Sequence, residues 1–541
     1  MKLSKLAQTY DRVSQSQGEF GKAPLLTRLF RQSDEKTLEA IAHFTVGEVV
    51  APTLSERLGI GPGAIRNAIA WLSGRDVQEV DDAVKELGDM GEVAARLVRG
   101  TDRIEVAELW KLTNQTAARD GDRQELIERV FANTTPAGAK YFTRMVLNQM
   151  RIGVGTDTLI RSLAEAFDVD ADQVQRLYAL SNDIGLAATH AQRGGASLRR
   201  AGLRLFRPYQ FMTAHKQDDP EEVFKRFEGK TVIFEIKYDG ARLQIHIKRG
   251  SDIRLYSRRL NDDTASMPDL VRALEKAWRG GDAILEGEAV AYDPDLENRL
   301  PFQSVLMRLG RKYDIEEKAR EIPLVLYLFD LLYDDGENLI NVAQKTRRER
   351  LKKLFRKSDR VKLSESIETP SLDRERAFFT EAIEAGHEGL MAKDPDAVYE
   401  AGKRSDSWMK LKPAFETLDV VIVGGIWGSG RRRGLLSSLI LAVRDKDTFK
   451  TVGKVGTGFS EETLKDLTAR LEPTIITTRG HFVEMEPAFV IEVDFQGIQK
   501  TTAYTSGFAL RIPRFKRERP DKSVREADTR ERLIRLYKQM R

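Results

Sequence analysis

The spacing of apolar residues changes once along the chain, near residue 205, and no single layer of secondary structure fits both patterns. Before that point the spacing is helical. Met90, Val93, Ala94, Leu97 and Val98 recur on one helix face, with Gly100 as a stop. Thr135 followed by Pro136 reads as a cap and a first-turn proline, and Phe142, Met145, Val146 and Met150 form one stripe behind them. The stretch LRLFRPYQFM reads as a linker. From Thr231 the period becomes two: Phe234, Ile236 and Tyr238 alternate with Glu235, Lys237 and Asp239. After Asp239-Gly240 the phase flips, so Leu243, Ile245 and Ile247 alternate with Arg242, Gln244, His246 and Lys248; Asp-Gly between such runs predicts a turn and, in its plainest form, a hairpin with one solvated face. Strands and helices mix up to Lys412. Beyond Thr417, short strands such as DVVIVGGIWG and FVIEVDFQGI between glycine-rich turns predict a small barrel, and SVREADTRERLIRLYKQMR a terminal helix. The 541 residues therefore divide into an all-α region (1–205), an α+β region (206–414) and a β-barrel region with a C-terminal helix (415–541), with no internal repeat or low-complexity tract.

Composition removes several function classes. There are no cysteines, which excludes disulfides, thiolate zinc sites and cysteine nucleophiles, and fits a reducing compartment. The N-terminal MKLSKLAQTYDRVSQ has no apolar core of a signal peptide. The longest apolar stretch, Ile322 to Tyr333, is interrupted by Asp330 and is too short to span a bilayer, so it predicts a buried strand. A cytoplasmic protein, nucleoid-associated if prokaryotic, is expected. Eighty-eight Lys and Arg against 83 Asp and Glu leave a net charge of +5, so a basic surface has to come from local clustering.

The chemistry-bearing residues recur in order. On an extended segment Glu235, Lys237 and Asp239 point to one side. A lysine nucleophile has to shed its proton, which burial and neighbouring cations favour. LYSRRLNDDT places Arg258 just after a strand. ILEGEAVAYD puts Glu286 and Glu288 on one strand face, with Glu286 read as a surface acid. LVLYLFDLLY buries Phe329 beside Asp330. HEGLMAKDP carries Glu388 and Lys393. SWMKLK sets Trp408, Lys410 and Lys412 on one side and Met409 and Leu411 on the other. GFALRIPRFKRERPDK carries Arg511, Arg514, Lys516 and Arg517.

This succession resembles the ATP-dependent DNA ligases of the covalent nucleotidyltransferase superfamily. EIKYDGAR matches the family's nucleotidyl motif, with Lys237 at the nucleophile position; SRR, LEGEAV, YLFDLLY, EGLMAK, WMKLK and LRIPRFKR match the later motifs in order. GDMGEVAARLVRG and TPAGAKYFTRMVLNQMRIGVG resemble the helical DNA-binding domain of archaeal, eukaryotic and some bacterial ligases. The resemblance implies a helical DNA-binding domain, a nucleotidyltransferase (adenylation) domain and an OB-fold. It implies that Lys237 attacks the α-phosphate of ATP, that AMP passes to the 5′-phosphate of a nick, and that the 3′-hydroxyl displaces it. It gives Glu235 to the adenine amino group, Arg242 and Glu288 to the ribose, Phe329 to stacking on the purine, and Arg258, Lys410 and Lys412 to phosphate charge. Glu288 and Glu388 are the expected Mg²⁺ ligands, since magnesium takes hard oxygen donors and bridges phosphates. Arg511, Arg514, Lys516 and Arg517 are expected to orient the pyrophosphate, with the barrel closing over the nucleotide and then releasing it. Arg151 and Gly153 in RIGVG, and Arg431, Arg432 and Arg433 in WGSGRRRG, are expected to meet DNA phosphates without sequence preference. One departure stands in GKRSDSW: where the family often has an arginine close to the Trp, Arg404 is the candidate to serve instead, and Asp406 sits where some relatives carry a base.

Nicked double-stranded DNA is thus the expected partner, met by a monomer in replication, repair or recombination, with no membrane; sliding-clamp or repair partners are not readable. A capping guanylyltransferase or RNA ligase of the same superfamily would lack the long helical region and the LRIPRFKRERPDK ending. NAD-dependent ligases carry a cysteine zinc module that this chain cannot build. A silent DNA-binding scaffold would not need Lys237, Arg242, Glu288, Phe329, Lys410 and Lys412 together.

Overall fold

The computed structural model describes residues 1–52, 58–119, 121–217, 219–295, 297–356, 358–412, 416–428, 432–495 and 497–539, and the chain forms two compact units, Met1–Lys412 and Pro413–Arg541. Up to Arg200 the described residues are helical, from Leu3–Gln15 to Gly195–Arg200. Local chemistry sets the helix ends: Asp34, Asp76, Asp122 and Asp183 each accept a hydrogen bond from a first-turn amide of the helix that follows. Thr135 caps Pro136–Val146 with proline at the first position, as its sequence predicts. Met150 lies beyond that helix, because Asn148 takes a left-handed conformation (φ 52°) two residues after its end. Asp89 has two tasks. It caps Met90–Leu97 through the Gly91 amide at 2.7 Å and accepts from Arg144 Nη2 at 2.9 Å, tying that helix to Pro136–Val146. Leu6, Tyr10, Phe30, Ile41, Phe44, Phe131 and Phe142 belong to the one core these helices share.

The period-two segment builds two sheets rather than one. β1 (Thr213–Gln217), β2 (Val232–Lys237), β9 (Ser366–Thr369), β10 (Gly389–Lys393) and β11 (Arg404–Leu411) form the first, in the order β1-β11-β10-β2-β9. β3 (Ala241–Lys248), β4 (Asp252–Ser257), β5 (Ala283–Ala291), β6 (Leu324–Asp334) and β7 (Glu337–Asn338) form the second in the order β4-β3-β5-β6-β7, with β8 (Val361–Leu363) beside β6. The hairpin expected at Asp239-Gly240 is therefore not formed. β2 pairs with β9 and β10, whereas β3 pairs with β4 and β5, so the turn carries the chain from one sheet to the other. Gly240 allows this because a Cβ there would sit 2.4 Å from the Ala289 carbonyl oxygen.

Alternation decides which side chains meet. Phe234, Ile236, Tyr238, Leu390, Ala392, Met409 and Leu411 pack in one cluster, joined by Val290, Val325 and Tyr327 of the second sheet. Met391 and Trp408 turn to the opposite face and pack with Ile284, Phe329 and Leu332. The polar side chains of β2 and β10 share that second face, so they line a cleft between the sheets and not a solvated surface. The 324–334 segment is a buried strand, as predicted, and among the described residues no helix is long and apolar enough to cross a membrane.

The second unit is strand-rich and OB-like. β12 (Glu416–Trp427) pairs with β13 (Leu436–Asp445) along one edge; β14 (Thr448–Val455) extends that side. Along its other edge β12 pairs with β16 (Phe482–Met485), which carries β15 (Ile475–Arg479), and then with β17 (Val490–Phe495). β18 (Gly497–Lys500) and β19 (Phe508–Arg511) form a hairpin, and β20 (Arg514–Glu518) adds to β17. Helices Glu461–Leu471 and Arg530–Gln539 bring Leu467, Leu471 and Leu533 onto the core of Leu418, Val420, Leu441, Val452 and Ile491.

Candidate active site

Lys237 ends β2 inside the cleft, with about a fifth of its side chain exposed (22%). Its backbone carbonyl accepts from the Glu388 amide at 3.1 Å, and Gly389 lies opposite it in the ladder. Gly389 has φ 137°, and a Cβ there would lie 2.1 Å from the Leu411 carbonyl oxygen. Only glycine lets the chain pass there and deliver Glu388 beside Lys237. One Glu388 oxygen pairs with Lys237 Nζ and the other with Lys412 Nζ, so a single carboxylate bridges two ammonium groups. Burial would raise the Glu388 carboxyl, but Lys237 and Lys412 outweigh it and hold it below its ordinary value. Lys410 stands alongside on β11. Burial and the charges of Lys412, Lys237 and Arg404 depress its ammonium.

Glu288 sits opposite Arg242 in the β3–β5 ladder. Burial pushes its carboxyl up to about 7, against the pull of Lys237 and Arg242 and with the repulsion of Glu388 and Asp239. Glu288 and Glu388 thus offer hard oxygens in the field of one amine. Among the described residues no group of three or more His, Asp or Glu side chains converges into a cage of its own. Two carboxylates fit an ion that takes its remaining ligands from phosphate oxygens.

Arg242 is held from behind. Nη1 donates to the Met212 carbonyl at 2.8 Å and Nη2 to Glu286 at 2.6 Å, while Nε is buried with no partner among the described residues. Glu286 is not the surface acid expected from its strand pattern. It is fully buried, and Tyr209 and Tyr399 each donate a hydroxyl to it, at 2.8 and 2.6 Å. Burial and the nearby carboxylate raise both tyrosines well above their ordinary value. The Arg242 guanidinium lies 4.7 Å from the Phe211 ring, 5.4 Å from Trp408 and 5.5 Å from Phe329. Phe329 is half-buried, and Lys393 Nζ lies 4.7 Å from its ring and 4.5 Å from Trp408.

Glu235, two residues before Lys237 on the same face, is 2% exposed. Arg348 and the Ser364 hydroxyl donate to one of its oxygens, and Lys393 donates to the other. Sequence reasoning missed Arg348, Ser364 and Tyr209, and it did not give Lys393 this contact.

The remaining expected residues lie elsewhere in their units. Arg258 is exposed directly after β4, whose Ser257 pairs with Leu243, so it stands at the Arg242 end of the sheet. Arg404 is exposed, and Asp406 pairs with Arg226 and, at 3.2 Å, with His215. Arg151, a left-handed residue (φ 54°), forms an ion pair with Asp89 at 3.2 Å and donates to the Gly88 carbonyl at 3.2 Å, and Gly153 accepts from Lys22 at 3.0 Å. In the second unit Arg511 is half-buried at the end of β19, while Arg514, Lys516 and Arg517 are exposed on β20, with Arg517 bonded to Glu492 at 2.6 Å. Arg432 donates to the Gly456 carbonyl and Arg433 bridges to Gly428; Arg431 lies outside the described residues.

Three family models match successive parts of the chain. They are described as DNA ligase N terminus (residues 2–164), ATP dependent DNA ligase domain (211–412) and ATP dependent DNA ligase C terminal region (432–522). A DNA ligase of Thermococcus onnurineus is 38% identical over 99% of this chain and 98% of its own length. One of Methanopyrus kandleri is 38% identical over 100% and 99%, and one of Archaeoglobus fulgidus 39% over 93% and 92%. Among solved structures, the one titled Pmar-Lig_PreS3 shares the fold, with a TM-score of 0.55 at 18% identity over 95% of this chain and 99% of that one.

Proposed function

The chain belongs to the family of ATP-dependent DNA ligases, and on that premise we propose how the residues around Lys237 divide the work of sealing a nick. The enzyme uses ATP and acts on DNA, joining a 5′-phosphate to a 3′-hydroxyl through a lysyl-AMP intermediate. Lys237 is the nucleophile. Its ammonium leaves the Glu388 ion pair and releases its proton to solvent, and the amine bonds to the α-phosphorus as the bond from that phosphorus to the pyrophosphate oxygen breaks. The AMP then moves to the 5′-phosphate of the nick, and the 3′-hydroxyl expels it as the strand closes. The observation that carries this reading is one amine at a strand end, inside a cleft, bridged through Glu388 to Lys412 and flanked by Lys410.

The other roles follow from what each side chain has left to give. Glu235 accepts from the adenine amino group, and Phe329 stacks on the purine. Arg242, fixed by Glu286 and Met212, turns toward the ribose the Nε–H that has no partner among the described residues, with Glu288 opposite. Arg258, Lys410 and Lys412 neutralise phosphate charge, which is most of what phosphoryl transfer asks of a protein. Glu288 and Glu388 would hold Mg²⁺ together with the phosphates. When bound, the ion withdraws charge from the transferring group. Arg511, Arg514, Lys516 and Arg517 orient the pyrophosphate, and Arg151, Gly153, Arg432 and Arg433 lie against the DNA backbone.

The test is nick sealing by the full chain with ATP and magnesium, with NAD in a parallel reaction. Sealing with ATP, none with NAD and none by Lys237→Ala is expected. Sealing by Lys237→Ala, or transfer of GMP from GTP in place of AMP, overturns the reading.

A further inference from the structure

Helix Gln344–Lys353 turns a polar stripe inward. Gln344, Arg347, Arg348 and Leu351 are its buried residues, at the i, i+3, i+4, i+7 spacing that ordinarily carries apolar side chains. The two adjacent arginines diverge. Arg347 makes a two-pronged contact with Asp330, Nε to Oδ1 and Nη2 to Oδ2 both at 2.8 Å, and so fixes the backbone beside Phe329. Arg348 reaches β2: Nη1 donates to Glu235 and to Ser364 Oγ at 3.2 Å, and Nη2 donates to the Ser364 carbonyl at 2.6 Å and Ser366 Oγ at 2.8 Å. One helix thus anchors the two strands that carry the proposed base-stacking and base-reading side chains.

Glu235 can be counted. A carboxylate has about four lone-pair positions. Arg348 and Ser364 occupy both on one oxygen, and Lys393 occupies one on the other. A single acceptor position remains, on the oxygen shared with Lys393. That position suits one N–H donor and repels a carbonyl oxygen. A site built to pair one polar group rejects an analogue that leaves it unpaired far more strongly than an apolar pocket rejects an extra methylene.

We propose that Arg348 sets the nucleobase selectivity of the enzyme, by holding Glu235 with one acceptor position open so that 6-aminopurines are taken and 6-oxopurines refused. This rests on the reading above that Glu235 meets the base amino group. Arg348 is a positioning residue; it acts on the base through Glu235. Without its fork, Glu235 keeps Lys393 but gains a free position and rotational freedom.

The experiment measures Lys237 nucleotidylation by the full chain with ATP and with inosine triphosphate, for the wild type, Arg348→Gln, Arg348→Lys, Ser364→Ala and Glu235→Gln. For Arg348→Gln the KM for ATP rises about tenfold while kcat and the KM for inosine triphosphate change little, so the ATP preference falls by about the same factor. Arg348→Lys restores part of the preference, and Ser364→Ala, which removes one small donor, lowers it a few-fold. Thermal melts identify any variant that fails to fold, and Ser364→Ala then carries the test alone. An ATP preference unchanged in Arg348→Gln and Ser364→Ala, but lost in Glu235→Gln, overturns the role of Arg348 and leaves the base-reading role of Glu235 standing. A preference unchanged in Glu235→Gln removes the reading on which the proposal rests.

Discussion

Replacing Glu286 by glutamine separates what holds the proposed nucleotide pocket together from what the pocket does. Glu286 is fully buried and the Arg242 side chain is 19% exposed, so the pair sits where an unmatched charge is costly. The amide keeps the shape. Its oxygen still accepts from Tyr209 and Tyr399, but its NH₂ then faces Arg242 Nη2, donor against donor. Breaking a buried pair from one side costs about 3 kcal/mol, because the partner's charge stays behind without compensation. Replacing Arg242 by methionine in the same chain removes that stranded charge, and the double variant should recover to within about 1 kcal/mol of the wild type. Activity should not follow stability. Glu286→Gln loses adenylylation because Arg242 is no longer fixed, and the double variant stays inactive because the guanidinium is gone. Urea melts of the four proteins give the cycle, and AMP incorporation on the same samples gives the activity. A Glu286→Gln variant within about 0.5 kcal/mol of the wild type, or a double variant as unstable as the sum of the singles, would show that the buried pair is not the pocket's support.

Other consequences are more local. His43 is buried between Glu48 (Nδ1 to Oε2, 2.7 Å) and Asp183 (Nε2 to Oδ1, 3.2 Å) and stacked on Trp110; burial lowers its pKa, but the two carboxylates outweigh that and raise it to about 9. A raised folded-state pKa stabilises the protein below the unfolded value near 6.5, by about 3 kcal/mol, and that contribution is lost as pH rises through 9; in His43→Phe the loss should be absent from urea melts taken across that range. Glu288, pushed up to about 7, is protonated in mildly acidic solution. Without magnesium, Glu288→Gln should melt higher than the wild type at pH 8, where the buried charge weighs against the fold, and the gap should close as the pH falls below 7 toward the ordinary carboxyl range; a gap that does not change with pH would assign the effect to another group. Gly389→Ala should lose adenylylation together with thermal stability, since its Cβ would strike the Leu411 carbonyl; a variant matching the wild type in both would show that Glu388 is positioned by other means.

The parts of this site legible in the sequence are those where type and spacing carry the meaning. Glu235 and Lys237 share a face because strand geometry leaves no alternative, and Thr135-Pro136 opens a helix because cap and proline act locally. What stayed hidden depends on contacts made across the chain. Alternation marks β2 and β3 as strands but is silent on which partner each chooses, so the Asp239-Gly240 turn reads as a hairpin although it changes sheets. A Glu in a strand looks the same whether it meets water or, as Glu286 does, two tyrosines and an arginine brought from 44 or more residues away. QKTRRERLKK looks like a solvated helix because its inward stripe is polar, and only the positions of Asp330 and Glu235 show what Arg347 and Arg348 are for. His43, one of six histidines, carries no motif; its place between two carboxylates exists only in the fold.

Lys237 as the residue that bonds to AMP is the claim on which the rest depends. Full-length protein incubated with ATP and magnesium, digested and mapped by mass spectrometry, should carry one adenylate on the peptide containing Lys237, removed when nicked DNA is added and absent from Lys237→Ala. An adenylate mapped to any other lysine, or an undiminished adenylate on Lys237→Ala, would contradict it.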